Sequence, residues 1–286
     1  MKNISFFFLF MVAALLFVGC EQAAESSGEE APPTQDAPEA TQPAPPETST
    51  KFSAGGLTVY AIEDSPQFPE ASLEMNEPVI GTDLEPGENS FDFTVSGYEL
   101  GVPTPGAGDN GLANSGKGQH IHLIMNNGPY SAHYEPSFTK DLEEGHYVAL
   151  AFLSRSFHES VKAPNAFAVS QFVVGTPANI KEANLSAPHL FYSRPKGSYY
   201  GEDTEKLLLD FFLVNCNLSP DGYKVRATIN GNEFTFTKWV PYAVEGLKFG
   251  EVTVKLELLD KAGNLVESPF NPVERTVTLA EKQSEG

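Results

Sequence analysis

The stretch Gly250-Glu-Val-Thr-Val-Lys-Leu-Glu-Leu-Leu-Asp260, followed by Lys261-Ala-Gly263-Asn264, decides the fold class. Val252, Val254, Leu256 and Leu258 alternate with Glu251, Thr253, Lys255 and Glu257. Successive side chains of a strand point to opposite faces, so this pattern predicts a strand with one face in a core and the other in water. The residues after it supply a turn. From about residue 55 to the C-terminus the chain repeats this grammar: short alternating or apolar runs, separated by Gly, Pro, Asn and Asp. No long helical period interrupts it, and the prediction is an all-β protein.

The runs occur twice, at a spacing of roughly 105–118 residues. Leu73-Glu-Met-Asn-Glu-Pro78 pairs with Leu190-Phe-Tyr-Ser-Arg-Pro195, and Phe91-Asp-Phe-Thr-Val95 with Leu209-Asp-Phe-Phe-Leu213. His120-Ile-His-Leu-Ile-Met-Asn126 pairs with Lys224-Val-Arg-Ala-Thr-Ile-Asn230, and Leu142-Glu-Glu-Gly145 with Leu247-Lys-Phe-Gly250. Final strands near 167–174 and 274–279 close the two units. The shrinking offset marks an insertion in the first copy, supplied by the Gly-rich loop 101–118. Each unit resembles an immunoglobulin-like β-sandwich, and the 250–264 phrase resembles the late hairpin of bacterial immunoglobulin-like domains. The expected organisation is a first, His-rich immunoglobulin-like domain at 55–176 and a second at 177–281.

Each copy serves as a control for the other. Lys224, Arg226 and Glu251 of the second copy align with His120, His122 and His146 of the first. Five of the six histidines fall between 120 and 158, the others being His133 and His158. Two histidines at i and i+2 on a strand share a face, and imidazole nitrogen suits zinc or copper. His120, His122 and His146 are therefore the expected metal ligands, with His133 and His158 as additional candidates. Such ligands bind neutral, so binding is expected to fade below histidine's ordinary value of about 6.5. The competing reading is a set of structural or solvent-facing histidines. Val148, Leu150 and Phe152 stand where the second copy has polar Thr253, Lys255 and Glu257. Something must cover that second apolar face: the insertion, the other domain or a ligand.

Other signals exclude more than they propose. Gly106-Ala-Gly108-Asp-Asn-Gly111 spells a dinucleotide fingerprint, but neither a helix nor a βαβ unit follows it. Nothing around Ser115-Gly-Lys117 supports a hydrolase. Cys216, in the apolar run 207–218, reads as a small packing residue. With 38 acidic and 18 basic residues the formal net charge is −20, which argues against nucleic-acid binding.

The N-terminus gives location. Lys2 precedes an apolar run that is too short to span a bilayer, and the run ends in Phe17-Val18-Gly19-Cys20. That ending resembles the lipobox of bacterial lipoproteins. The resemblance implies a signal peptide at 1–19, lipid on Cys20 and, with Glu21 following, sorting to the outer membrane. Residues 20–54 read as a linker; 21–50 hold seven acids, six prolines and no Lys or Arg, a composition expected to stay disordered. Gly118-Gln-His-Ile-His-Leu123, Tyr130-Ser-Ala-His-Tyr134, Gly145-His-Tyr-Val-Ala-Leu-Ala-Phe152 and Ala187-Pro-His-Leu190 resemble a family of two-domain bacterial lipoproteins. Some of its members carry a phosphopeptide-binding label, although this chain shows no phosphate site. The first copy also resembles a small family with His-rich strands. The expected function is a non-enzymatic, outer-membrane-anchored binding or structural module whose expected partner is membrane lipid, through acylated Cys20; the alternative is a His-patch lipoprotein binding zinc or copper.

Overall fold

The alternating runs become strands in the computed structural model, which describes residues 51–180 and 182–282. The expected signal peptide, Cys20 and the expected linker as far as residue 50 lie outside the described residues. A hairpin comes first, β1 (Lys51–Ala54) and β2 (Leu57–Ala61). The first sandwich holds β3 (Ser72–Glu77), β4 (Asp83–Leu84), β5 (Gly87–Ser96), β6 (His120–Met125), β7 (Ser131–His133), β8 (Ser137–Leu142), β9 (Gly145–Ser154) and β10 (Phe167–Val174). The second holds β11 (His189–Arg194), β12 (Ser198–Tyr200), β13 (Lys206–Val214), β14 (Lys224–Ile229), β15 (Asn232–Phe236), β16 (Tyr242–Glu245), β17 (Gly250–Leu259) and β18 (Val273–Ala280).

The two sandwiches repeat one topology strand for strand. In the first, β3-β5-β8 faces β4-β10-β9-β6-β7; in the second, β11-β13-β16 faces β12-β18-β17-β14-β15. The short strands β4 and β12 pair in parallel with β10 and β18, and the other ladders are antiparallel. Even irregularities repeat. A register shift falls between Met75 and Glu77 in β3 and between Tyr192 and Arg194 in β11, and a cis proline, Pro78 or Pro195, follows each. These are two tandem immunoglobulin-like sandwiches, and the aligned phrases of the sequence lie on corresponding strands.

The hairpin departs from chain order. β2 pairs with β16, so Leu57 and Val59 enter the core of the second sandwich. Residues 57–61 thus stand outside the first domain, where a boundary at 55 placed them. Alternation shows that a strand exists; it does not say which sheet edge accepts it.

Each sandwich has its own core, built in the first around Phe91, Leu123, Ala151 and Phe172 and in the second around Tyr192, Phe211, Phe236 and Leu256. A third apolar cluster joins them. Ile124, Val148, Leu150 and Phe152, on the outer face of β6 and β9, pack on Phe191, Phe212 and Val214 of β11 and β13. The cover over the second apolar face is thus the other sandwich. The hairpin after β6 locks the contact. Asn127 is buried at φ 52, its Nδ2 donates to the Leu190 and Phe270 carbonyls, and its Oδ1 accepts the Tyr192 N–H. Arg275 donates to the Asn127 and Gly128 carbonyls. Cys216 is half-buried against the second core, and burial pushes its thiol up to about 12.

Candidate metal centre

Strand β6 is buried on both faces because it lies between its own core and the second sandwich. His120 and His122 project from the same face as Ile124, and both are fully buried. Across the ladder they stand opposite Ser154 and Phe152 of β9. Immediately after β9 the chain turns back on itself. The Arg155 carbonyl accepts the His158 N–H at 2.9 Å, the Glu159 carbonyl accepts the Arg155 N–H at 2.9 Å, and Ser154 bridges Ser160. His158 closes this turn in the left-handed region, at φ 65, which a bulky residue adopts only when its surroundings enforce it.

The surroundings do so. Arg155 and Glu159 form a buried ion pair at 2.8 Å, and Phe157 packs with Leu112 and Leu208. Ser156 Oγ accepts the Thr104 N–H at 2.7 Å, and its carbonyl accepts the Ser115 N–H at 2.8 Å. Thr104, Leu112 and Ser115 all belong to the 101–118 insertion, which buttresses the turn that carries His158. The insertion ends at Gly118, φ 85, where a Cβ would fall 2.4 Å from the Val102 carbonyl oxygen. Glycine is required there, and its carbonyl orients the first histidine.

Three ring nitrogens converge. His120 Nε2 lies 2.8 Å from His122 Nε2 and 3.1 Å from His158 Nδ1, and the three candidate ligand atoms fall within 4.8 Å of one another. His120 Nδ1 is 2.8 Å from the Gly118 carbonyl. A carbonyl only accepts, so Nδ1 carries the proton and Nε2 turns its lone pair to the cluster. That second contact fixes the tautomer as it does in metal-ligating histidines. His122 lacks such support; its Nδ1 is buried without a partner.

All three imidazoles are held neutral. Burial lowers His120 to about 4, despite its bond to Gly118. Burial, then the charges of neighbouring groups including Arg194 and Lys196, puts His122 and His158 well below the ordinary histidine range. Lone pairs are thus available at neutral pH without loss of a proton, and the fading of binding at pH 6.5 moves down toward the value of His120. A tetrahedral ion with Zn–N bonds near 2.1 Å separates its ligand nitrogens by roughly 3.4 Å. The observed 2.8 and 3.1 Å require an opening of a few tenths of an ångström, and the His122–His158 pair, within 4.8 Å, must settle at the same separation.

Aromatic and basic groups enclose the cluster. Tyr130 stacks on His122 with ring centroids 3.5 Å apart, and Tyr134 lies 5.1 Å from His120. Tyr134 Oη is bonded to Ser115 Oγ at 2.6 Å, tying the insertion over the site. From the second sandwich, Lys196 Nζ sits 4.2 Å above the Tyr130 ring and Arg194 5.4 Å from it.

Of the histidines singled out in the sequence, the structure brings together His120, His122 and His158. His146 does not join them. It shares their face, but β9 runs antiparallel to β6, and Ser154, not His146, lies opposite His120. Eight residues at ~3.3 Å each place His146 roughly 26 Å along the strand. His133 also falls away: it pairs with Ile121, stacks on Phe138 at 3.4 Å and bonds Ser131 Oγ. His189 is buried between Ser268 and Asn184. Sequence reasoning missed Tyr130, Arg194 and Lys196. A signal existed for one of them, since Arg194 aligns with Glu77 of the first copy.

The chain matches no protein-family model and no curated protein. Among solved structures, fibronectin(III)-like modules of Clostridium thermocellum CbhA are similar at 14% identity and TM-score 0.26, over 75% of this chain and 97% of theirs. The Bacteroides ovatus mixed-linkage glucan utilization locus protein SGBP-B, in complex with a mixed-linkage heptasaccharide, aligns at 10% identity and TM-score 0.23, over 73% and 70%. The central fibronectin-III array of RIM-binding protein aligns at 9% identity and TM-score 0.25, over 76% and 71%.

Proposed function

We propose that the protein binds one transition-metal ion, zinc or copper, through His120, His122 and His158, in a body tethered to the bacterial outer membrane by lipid on Cys20. The convergence of three neutral ring nitrogens within 4.8 Å supports this reading. As an unloaded cluster it is poorly satisfied: the His120 Nε2 lone pair faces two further ring nitrogens, and one donated proton satisfies only one of those contacts. A cation at the centre accepts all three lone pairs. The reading is of binding rather than turnover, because His120 and His122 lie buried beneath Tyr130 and the second sandwich. Half-buried His158 gives the ion its approach. Anchoring rests on the Val-Gly-Cys20 ending and the acidic linker.

The test is titration calorimetry of the detergent-solubilised full chain with zinc and with copper. One ion should bind per chain, and at a hundredfold excess over the dissociation constant it should stabilise the fold by about 2.7 kcal/mol. His158→Asn keeps a residue that tolerates the left-handed conformation and should abolish binding. His146→Ala should leave binding unchanged. Absence of binding in the wild type, or equal affinity in His158→Asn, would refute the proposal.

A further inference from the structure

We infer that Tyr130 is the fourth ligand of this centre, bound as a phenolate whose charge is matched by Arg194 and Lys196. The inference rests on the metal reading above. Three imidazoles leave one position of a tetrahedral ion open. Tyr130 Oη lies 3.4 Å from His158 Nδ1, the separation of two ligands on a common ion. The ring is held for that position, buried, stacked on His122 at an interplanar angle of 16° and covered by Lys196.

Charge points the same way. Buried Arg155 and partly buried Lys162 pair with Glu159 and Asp210. Arg194 and Lys196 have no carboxylate within ion-pair distance among the described residues. Arg194 Nη1 bonds the Tyr199 hydroxyl and Lys196 Nζ the Tyr130 carbonyl, both neutral acceptors. Arg194 Nε is buried with no partner. An uncompensated buried cation such as Arg194 is costly, and a divalent ion beside it and the half-buried Lys196 adds to the cost unless negative charge arises in the site. Tyr130 can supply it, with its hydroxyl against the cluster and two cations over its ring. Tyr134 is less suited because its hydroxyl is engaged with Ser115.

The step is simple in its balance. As the oxygen–metal bond forms, the Tyr130 O–H bond breaks and its proton passes to solvent; no electron is transferred. The phenolate then faces Arg194 and Lys196 as their counter-charge.

Copper(II) makes the bond visible. The detergent-solubilised full chain loaded with one equivalent of copper(II) should show a visible phenolate-to-copper charge-transfer band. Tyr130→Phe keeps the stacked ring and the backbone carbonyl that Lys196 bonds. It should lose the band and bind copper at least roughly 10–100-fold more weakly, the range for losing even an outer partner of a metal ligand. His146→Ala, at the far end of β9, should keep both band and affinity. A His158-dependent copper site with no band, or with equal affinity in Tyr130→Phe, overturns Tyr130 as ligand and assigns the fourth position to water or an added anion. If the wild type binds neither copper nor zinc, the metal reading falls and this inference with it. The unloaded Tyr130→Phe variant should melt as a single transition close to wild type, which separates loss of a ligand from loss of the fold.

Discussion

Replacing Phe212 with alanine empties the centre of the contact between the two sandwiches. Its ring is fully buried, stacked on Phe152 with centroids 4.9 Å apart, 5.0 Å from Phe167 and edge-on to Trp239 at 5.0 Å. The walls of the resulting cavity are poorly able to close. Phe152 sits in a central strand, and Trp239 is pinned by its Nε1 bond to the Phe211 carbonyl. The expected loss is therefore in the Phe→Ala range of about 3–5 kcal/mol, nearer its upper end. At ~2–4 °C per kcal/mol for a chain of this size, the midpoint should fall by roughly 6–20 °C. Urea unfolding followed by far-UV circular dichroism and by fluorescence of Trp239, the chain's single tryptophan, measures it. Both probes should report one shared transition, because the cavity lies in the joint that couples the sandwiches. Phe249→Ala, at a ring 61% exposed, should stay within about 0.5 kcal/mol of wild type. A Phe212→Ala loss below about 1 kcal/mol would refute the joint as a major source of stability. Two separated transitions in the wild type would refute the coupling.

Three further outcomes follow from the same geometry. Asn127→Ala strands the buried Leu190 and Phe270 carbonyls and the Tyr192 N–H, and should lower the urea midpoint by an equivalent of about 3 kcal/mol with no change of slope; a neutral result would show that these groups find other partners. His120 is lowered to about 4 when folded but titrates near 6.5 when unfolded, so between those values the unfolded chain takes up a proton that the native state refuses. The part of the stability without metal that His120 carries should fall as pH drops from about 6.5 to about 4, by up to ~3 kcal/mol, and His122 and His158, held lower still, should keep it falling below that; a melting temperature that is flat or rising on acidification would contradict the buried neutral state. Cys20→Ala should abolish incorporation of a fatty-acid probe and remove the protein from the outer-membrane fraction, and equal label in mutant and wild type would end the anchoring proposal.

Strand periodicity and duplication were readable because both are local. Val252 to Leu258 alternate whatever lies around them, and Asn126 and Asn230 bond the neighbouring strand in the same way in the two copies. The pair His120 and His122 was readable for the same reason, since i and i+2 share a face in any strand. Register was not. Adjacency of β6 and β9 follows from the sandwich topology, but the antiparallel offset that sends His146 to the far end depends on where the ladder begins. His158 was harder still, because its ring reaches the cluster only through a left-handed turn clamped by a loop inserted some forty residues earlier, counted roughly along the strand order.

The two copies also show why the histidine cluster formed in one of them. On β14 and β17 the outer face keeps Arg226 paired with Glu257 at 2.7 Å, and Lys255 joins that carboxylate at 2.8 Å. The same face of β6 and β9 is apolar at Ile124, Leu150 and Phe152, and docks on β11 and β13. Docking adds to the burial of His120 and His122, and burial is the largest cause of their neutrality. It also carries Arg194 and Lys196 over Tyr130. A lone first sandwich would keep Tyr130 and the insertion over the His-x-His strand but would lack the cover of the second sandwich and its basic pair. The apolar residues Val148, Leu150 and Phe152 are therefore as much part of the centre as the imidazoles, because they bring the second sandwich to it.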